Sequence, residues 1–296
     1  MPAPPRFDLQ AHSTRSDGAL EPAAVVAAAA AAGVELLALS DHDTLAGVAE
    51  ALEAGREQGV TIVPAVEISS IDDDGAQPRE LHILGYLIDH ADPAFNQTLD
   101  RFLADREQRT LRMAENLRGA GWQLQTSTID ARIAAGEPIG RPHLAEAVLA
   151  HPANADRLRA EQIDDVGSLI RGYLIEGKPA FALRQTPTVA EAIEAIHAAG
   201  GVAVWAHPFW DVEDPVEVLA TIERFRALGI DGVEAFYVTH AREQTELLAS
   251  RCEELELLST GSADFHGPEN RLFSRFAAFE TYGLTPNLGP IWASDR

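Results

Sequence analysis

Short runs of apolar, β-prone residues alternate along the chain with longer segments whose apolar positions recur at helical spacing, and glycines close several of the helical segments. That alternation is the order expected of βα units. Phe7 to Ala11 predicts a first strand, and Pro22 to Ala32 a helix with proline at an early position and Gly33 past its end. Leu36 to Leu39 predicts the second strand. Leu45 to Gln58, closed by Gly59, predicts a helix, and the β-branched run Val60 to Val66 a buried strand. Leu81 to Leu87 predicts a fourth. Val202 to Ala206, Gly232 to Ala235 and Leu257 to Thr260 predict three more, each preceded by a helix ending near Gly200, Gly229 or Glu256. Seven strands in this order predict an α/β barrel.

Between the fourth and fifth strands, Asp92 to Gly177 reads as almost entirely helical. It predicts an inserted, mainly helical cap subdomain over 92–177, with the barrel formed by 1–91 and 178–296. Its first helix, Phe95 to Ala120, carries apolar residues at Phe95, Leu99, Phe102 and Leu103 and charges elsewhere, as an amphipathic surface helix does. The acidic run Asp72-Asp73-Asp74 before Gly75 lacks the ligand spacing of a calcium loop and predicts a solvated loop. From Leu284 onward the chain reads as a proline- and glycine-punctuated tail.

The composition narrows the partners. With 46 Asp+Glu against 23 Lys+Arg the formal charge is −23, which argues against an extended duplex-binding surface. Anionic substrates require metal cations that reverse the field locally. The start lacks a signal-peptide pattern. The longest apolar stretch, Ala23 to Val34, falls short of the roughly 20 residues a spanning helix needs. We therefore expect a cytoplasmic protein with no membrane partner. The one cysteine, Cys252, cannot form an internal disulfide and reads as a half-buried small hydrophobe.

Ligand-type residues fall at or just beyond the ends of the predicted strands, the rim where α/β barrels build their sites. After the first strand come Gln10, His12 and, in Ser16-Asp17-Gly18, Asp17; after the second comes Ser40-Asp41-His42-Asp43-Thr44. Glu67 ends the third and His82 lies in the fourth. His207 ends the fifth, in Trp205-Ala206-His207-Pro208, and Asp264 with His266 ends the last, in Ser262-Ala263-Asp264-Phe265-His266-Gly267. Imidazoles mixed with carboxylates are the ligand set of Mn, Fe or Zn, whereas Ca and Mg sites are built from oxygen. The pattern therefore predicts a transition-metal cluster. Asp41 and Asp43 are expected to orient imidazoles by hydrogen bonding, with helix capping at Leu45 an equal alternative for Asp43. His90, His151, His197 and His240 lie away from strand ends and are assigned no chemistry. In Gly140-Arg141-Pro142-His143 an arginine opens a helix beside free backbone N–H groups, the makings of a phosphate clamp.

These motifs resemble, in order from Asp8 to about Gly267, those of the polymerase and histidinol phosphatase (PHP) family of metal-dependent phosphoesterases, most of all its small stand-alone bacterial enzymes acting on nucleotides. The resemblance implies a distorted (β/α)7 barrel with a helical insertion and up to three divalent transition metals, manganese first, with iron or zinc as alternatives. It implies His12, Glu67 and Asp264 at the first metal, Glu67 bridging to a second held by His82 and His207, and Asp17, His42 and His266 at a third. Arg141 and His143 match the family's substrate-phosphate contacts. The family's opening His-x-His reads Gln10-Ala11-His12 here, which places an amide, a weaker ligand, at a metal position.

The implied activity is hydrolysis of phosphate monoesters of nucleotides (a mononucleotide, a nucleoside 3′,5′-bisphosphate or the 5′ end of a short RNA), with a metal-bridging hydroxide as nucleophile. His207, His143 or a water is expected to protonate the leaving alcohol. Three divalent ions bring +6, and Asp17, Glu67, Asp264 and one hydroxide bring −4, which leaves about +2 to receive a phosphate dianion. The alternatives are an amidohydrolase-type C–N hydrolase, for which Arg141 has little to bind, and a degenerate nucleotide-binding domain, suggested by Gln10.

Overall fold

The computed structural model describes residues 5–74 and 78–293. Seven strands form one sheet in chain order: β1 (Phe7–Asp8), β2 (Leu36–Leu39), β3 (Thr61–Asp72), β4 (Arg79–Tyr86), β5 (Val202–Trp205), β6 (Gly232–Tyr237) and β7 (Leu258–Ser262). Their near-continuous apolar runs are buried along β2 and β6, as strands covered on both faces require. β1 to β3 are parallel, as are β5 to β7, while β4 runs antiparallel to both its neighbours.

Beyond the two outermost strands, Ala11 pairs in parallel with Phe265, and the Leu9 amide donates to the Gly261 carbonyl at 3.2 Å. Asp8 strengthens this seam, its carboxylate accepting from the amides of Ala263 (3.0 Å) and Ala277 (2.8 Å). The sheet is thereby nearly closed, a distorted α/β barrel as expected.

The strands β3 and β4 differ from the expectation. The sequence places the end of the third strand at Glu67, but β3 continues to Asp72 because it pairs with β4 all the way, Glu67 opposite Leu84, Ser69 opposite His82 and Asp72 opposite Arg79. Asp72 is consequently not part of a solvated loop. Arg224 holds it with two hydrogen bonds of 2.9 and 2.6 Å, while Asp73 and Asp74 are exposed. Gly75 lies outside the described residues.

Helix α1 (Pro22–Ala31) opens on Pro22, whose missing N–H has no partner to lose there. Helix α2 (Val48–Gln58) starts later than the expected Leu45, and Gly59 ends it in the left-handed conformation. Val25, Val26 and Ala29 of α1 and Ala51 and Ala54 of α2 pack with Leu37, Leu39 and Phe265 into one apolar cluster.

The chain divides into two compact units, Met1–Asp100 with Pro187–Arg296, and Arg101–Thr186. These bounds differ from the expected 92 and 177; the first now falls within α3 (Pro93–Gly119), which is one unbroken helix. The second unit continues with α4 (Ser127–Ala135), α5 (Arg141–Leu149), α6 (Ala155–Ala160) and α7 (Val166–Leu169), and no strand occurs among its described residues. It has its own core, including Met113, Leu117, Trp122, Leu144, Val148 and Leu169. The Arg157 guanidinium stacks 4.0 Å above the Trp122 ring.

The first unit resumes with α8 (Val189–Ala198), opened by a reciprocal Thr188–Glu191 cap, then α9 (Pro208–Asp211), α10 (Pro215–Ala227), α11 (Arg242–Leu255) and α12 (Pro290–Ala293). Cys252 is buried in α11, and burial pushes its thiol up to about 12, which leaves it unreactive. No helix among the described residues is long and apolar enough to cross a membrane.

Candidate metal centre

Different local devices bring the eight proposed ligands to one place in the first unit. His12 follows β1, fixed by its amide donating to the Phe265 carbonyl at 2.8 Å. The next loop folds back on itself, the amides of Ser16 and Gly18 both donating to the Ser13 carbonyl (3.0 and 2.9 Å), and so returns Asp17 toward His12. Gly18 is needed for that close approach, since a Cβ there would lie 2.2 Å from the His12 carbonyl oxygen. His42 follows β2 and pairs across the sheet with Glu67.

One expected position is corrected. Glu67 lies within β3 rather than at its end. His82 lies in the first half of β4, opposite Ser69, because an antiparallel strand brings its opening residues to the level where its neighbours present their later ones. His207 (φ 30°) and Asp264 (φ 53°) both take left-handed backbone conformations, strain that persists only where the surroundings impose it. The His207 amide donates to Glu234 Oε2 at 2.9 Å, and the Asp264 carboxylate accepts from the Tyr237 hydroxyl at 2.8 Å.

Glu67 is the hub. Its Oε1 lies 2.6 Å from His82 Nδ1 and 3.2 Å from His207 Nε2; its Oε2 lies 3.0 Å from His12 Nε2, 3.6 Å from His42 Nδ1 and 2.9 Å from the Gln10 amide nitrogen. Around it, side chains form three overlapping groups with metal-holding geometry: His12, Glu67 and Asp264; His42, Glu67 and His82; and His12, Asp17, His42 and His266. His207 joins through Glu67, and His266 stacks on His12 with ring centroids 4.3 Å apart.

The residues fit metal ions on two counts. The first is geometric. His12 Nε2 is 3.0 Å from both Glu67 Oε2 and Asp264 Oδ1, yet neither His12 Nε2 nor Asp264 Oδ1 makes an aligned hydrogen bond. Atoms that ligate one ion at about 2.1 Å and at right angles lie about 3 Å apart and point at the ion rather than at one another. The second is electrostatic. Burial favours the neutral Glu67 acid, but His42, His82, His12 and His207 outweigh it and hold the carboxyl well below its ordinary range. Burial likewise disfavours the His12 imidazolium, yet Asp264 and Glu67 draw its pKa well above the usual value. A divalent cation supplies the charge these carboxylates otherwise take from protonated imidazoles, and leaves the rings neutral, the form that ligates.

The supporting residues depart further from the sequence expectation. Gln10 turns its amide nitrogen to Glu67 Oε2 (2.9 Å) and its carbonyl to the Ser262 hydroxyl (3.3 Å), which also lies 2.6 Å from Glu234 Oε1. Burial raises Glu234 to about 8, so a neutral acid here can donate to Ser262 and leave the hydroxyl proton for the Gln10 carbonyl.

Asp41 accepts from the Ser13 amide (2.8 Å), the Ser13 hydroxyl (2.6 Å) and the Ser16 hydroxyl (2.6 Å), and reaches His12 by hydrogen bonding through Ser16, whose Oγ is 3.4 Å from His12 Nδ1. Asp43 caps no helix at Leu45. At φ 56° it reverses the chain, its amide donating to the Glu67 carbonyl at 3.0 Å and its carboxylate accepting from the Ser69 amide at 3.1 Å. Tyr237, Glu234, Ser262 and Asp211, the last 3.4 Å from His207 Nδ1, escaped the sequence reading. Only the i, i+4 spacing of His207 and Asp211 was available to find any of them.

Arg141 and His143 belong to the second unit, where Arg141 begins α5 and His143 Nδ1 accepts from the Gly140 amide at 3.1 Å. His197 pairs with Asp231 at 2.8 Å. His240 is buried, accepts no metal partner among the described residues, and is pushed down to about 4 by burial.

With this geometry in view, three comparisons place the chain among known proteins. A profile of the PHP domain matches residues 8–198. A 5′-3′ exoribonuclease from Haemophilus influenzae is 34% identical over 263 residues, 89% of this chain and 90% of its own length. A 3′,5′-nucleoside bisphosphate phosphatase from Chromobacterium violaceum is 31% identical over 286 residues, 97% of this chain and 95% of its own. Among solved structures, an amidohydrolase from Chromobacterium violaceum with bound sulfate superimposes with a TM-score of 0.80 at 30% identity, covering 98% of this chain and 95% of that one.

Proposed function

Because the chain belongs to the PHP domain family and is a metal-dependent phosphoesterase, we propose that it is a cytoplasmic enzyme hydrolysing phosphate monoesters of nucleotides: mononucleotides, nucleoside 3′,5′-bisphosphates or the 5′ ends of short RNAs. The names of the two relatives support the RNA and the nucleoside bisphosphate in this range. The observation that carries the reading is the convergence of five imidazoles and three carboxylates on the space around Glu67. Their mixed nitrogen and oxygen set favours manganese, with iron or zinc as alternatives, at up to three sites.

In this reading His12, Glu67 and Asp264 hold one ion, Glu67, His82 and His207 a second, and Asp17, His42 and His266 a third. Such ions act as Lewis acids on phosphoryl oxygens and acidify water. The chain's own groups do the rest. Arg141, whose planar guanidinium suits a phosphoryl group, and His143 are proposed for substrate phosphate because they match the family's substrate-phosphate contacts. His207, His143 or a water delivers the proton that the departing alcohol needs. Gln10, through its N–H, fixes the carboxylate plane of Glu67, so we assign it as a positioning residue rather than a ligand.

The test is phosphate release from AMP, adenosine 3′,5′-bisphosphate and a 5′-phosphorylated oligoribonucleotide by the manganese-loaded enzyme. Release from at least one of them is expected. Release from none, in a preparation with confirmed metal, contradicts the reading.

A further inference from the structure

The metal cluster accounts for the reacting phosphate but for nothing that would recognise the rest of a nucleotide. Beside it stands Trp210, 50% exposed and the most exposed aromatic side chain among the described residues. A single exposed hydrophobic residue needs no explanation by itself. Trp210 differs in how it is held. It sits in α9, the short turn that begins immediately after the ligand His207, and its amide donates to the His207 carbonyl at 2.8 Å. Its ring meets the edge of Phe273 (centroids 5.6 Å, 64°), and Phe273 in turn leans on the ligand His266 (5.5 Å). Phe273 is fixed at both backbone groups, its amide donating to Asn270 and its carbonyl accepting from the His266 amide at 2.9 Å. The indole is therefore a rigid aromatic surface, tied by one end to each of two ligands, with half its area open to solvent.

We propose that Trp210, braced by Phe273, is the platform on which the nucleobase of the substrate stacks. This rests on the nucleotide phosphoesterase reading and names the group that selects nucleotides from other phosphate monoesters. The charge balance of the chain favours such a device. A molecule of −23 offers a distant anion no attraction outside the immediate neighbourhood of its metals, whereas stacking on an uncharged base is independent of net charge. Every base has a π-face, so the platform is tolerant of base identity, and the larger purines bind better.

The experiment compares AMP with ribose 5-phosphate, which presents the same ester without a base, on manganese-loaded wild type, Trp210→Ala, Trp210→Phe and, as a control, Trp292→Ala, an exposed tryptophan in α12. Affinities are measured by calorimetry and phosphate release on the same samples. Trp210→Ala weakens AMP binding by between about 5- and 150-fold and shifts ribose 5-phosphate less than twofold; Trp210→Phe recovers most of the loss and Trp292→Ala binds AMP as wild type does. Equal AMP affinity in wild type and Trp210→Ala overturns the proposal, as does an equal loss for both ligands, which would mean a damaged site. The underlying reading fails separately: no phosphate released from either compound contradicts the phosphoesterase, while release from both with no preference for AMP contradicts only the stacking platform.

Discussion

Glu67 concentrates the chemistry of the site in one side chain, since five polar groups from four parts of the chain meet its two oxygens. Gln10 is the one of these that departs from the family motif, and its geometry explains how the departure is tolerated: the amide supplies a hydrogen bond to the carboxylate and takes its own orientation from Ser262. Gln10→His is accordingly expected to give no gain in phosphate release, and Gln10→Ala to weaken metal affinity by about 10- to 100-fold, the usual cost of removing a group that orients a ligand. A large gain in Gln10→His would instead mark the site as degenerate. Tyr237→Phe, which removes the hydroxyl donated to Asp264, is expected to cost metal affinity in the same range, measured by competition with a fluorescent chelator.

Glu234 predicts a pH effect. An unfolded glutamate loses its proton near 4.5 and the buried one near 8, so in between the native state keeps a proton that the unfolded state has released. Stability from this group is complete below about 4.5 and is lost as pH rises through 8. Metal-depleted wild type should therefore lose unfolding free energy relative to Glu234→Gln across that window, by on the order of a few kcal/mol in total; parallel curves would contradict it. At this scale the residues that meet around Glu67 were legible in the sequence as candidate ligands because imidazoles and acids cluster at strand ends. Tyr237, Glu234 and Ser262 were not, because each is ordinary strand content until the register of β6 against β7 aims it at the site.

The elements explain why the ligands fall where they do. Alternating apolar runs and glycine-closed helices made all seven strands readable. The direction of β4 was not, since an apolar run carries no sign of which way it enters a sheet. That reversal lets β3 run on to Asp72. The far end of this pair is held to α10 by Arg224, whose two bonds to Asp72 are charge-assisted. Arg224→Leu is expected to lower stability by about 1–2 kcal/mol, the low end for such bonds because the guanidinium is one-third exposed. Metal content should stay at the wild-type level, because Asp72 lies away from Glu67 along β3. Loss of metal in a folded Arg224→Leu protein would show that the strand end, not the barrel, positions Glu67.

For the whole molecule the controlling number is the charge of −23. It argues from the sequence against extended duplex binding, and it bears on kinetics as well. A dianionic nucleotide approaching such a chain is repelled at long range and attracted only within reach of the ions, and salt screens the long-range part most. kcat/KM for AMP is therefore expected to hold or rise as ionic strength increases from low to physiological values. A steep fall would indicate a positive funnel and contradict this account. The central claim, that the residues around Glu67 form a multinuclear phosphoesterase centre, is tested most directly by elemental analysis of protein purified without chelator, with phosphate release from nucleotides assayed on the same sample. The account predicts about three transition-metal ions per chain, one for each group of ligands, together with turnover; two or fewer with no phosphate released, even after manganese is added, would contradict it.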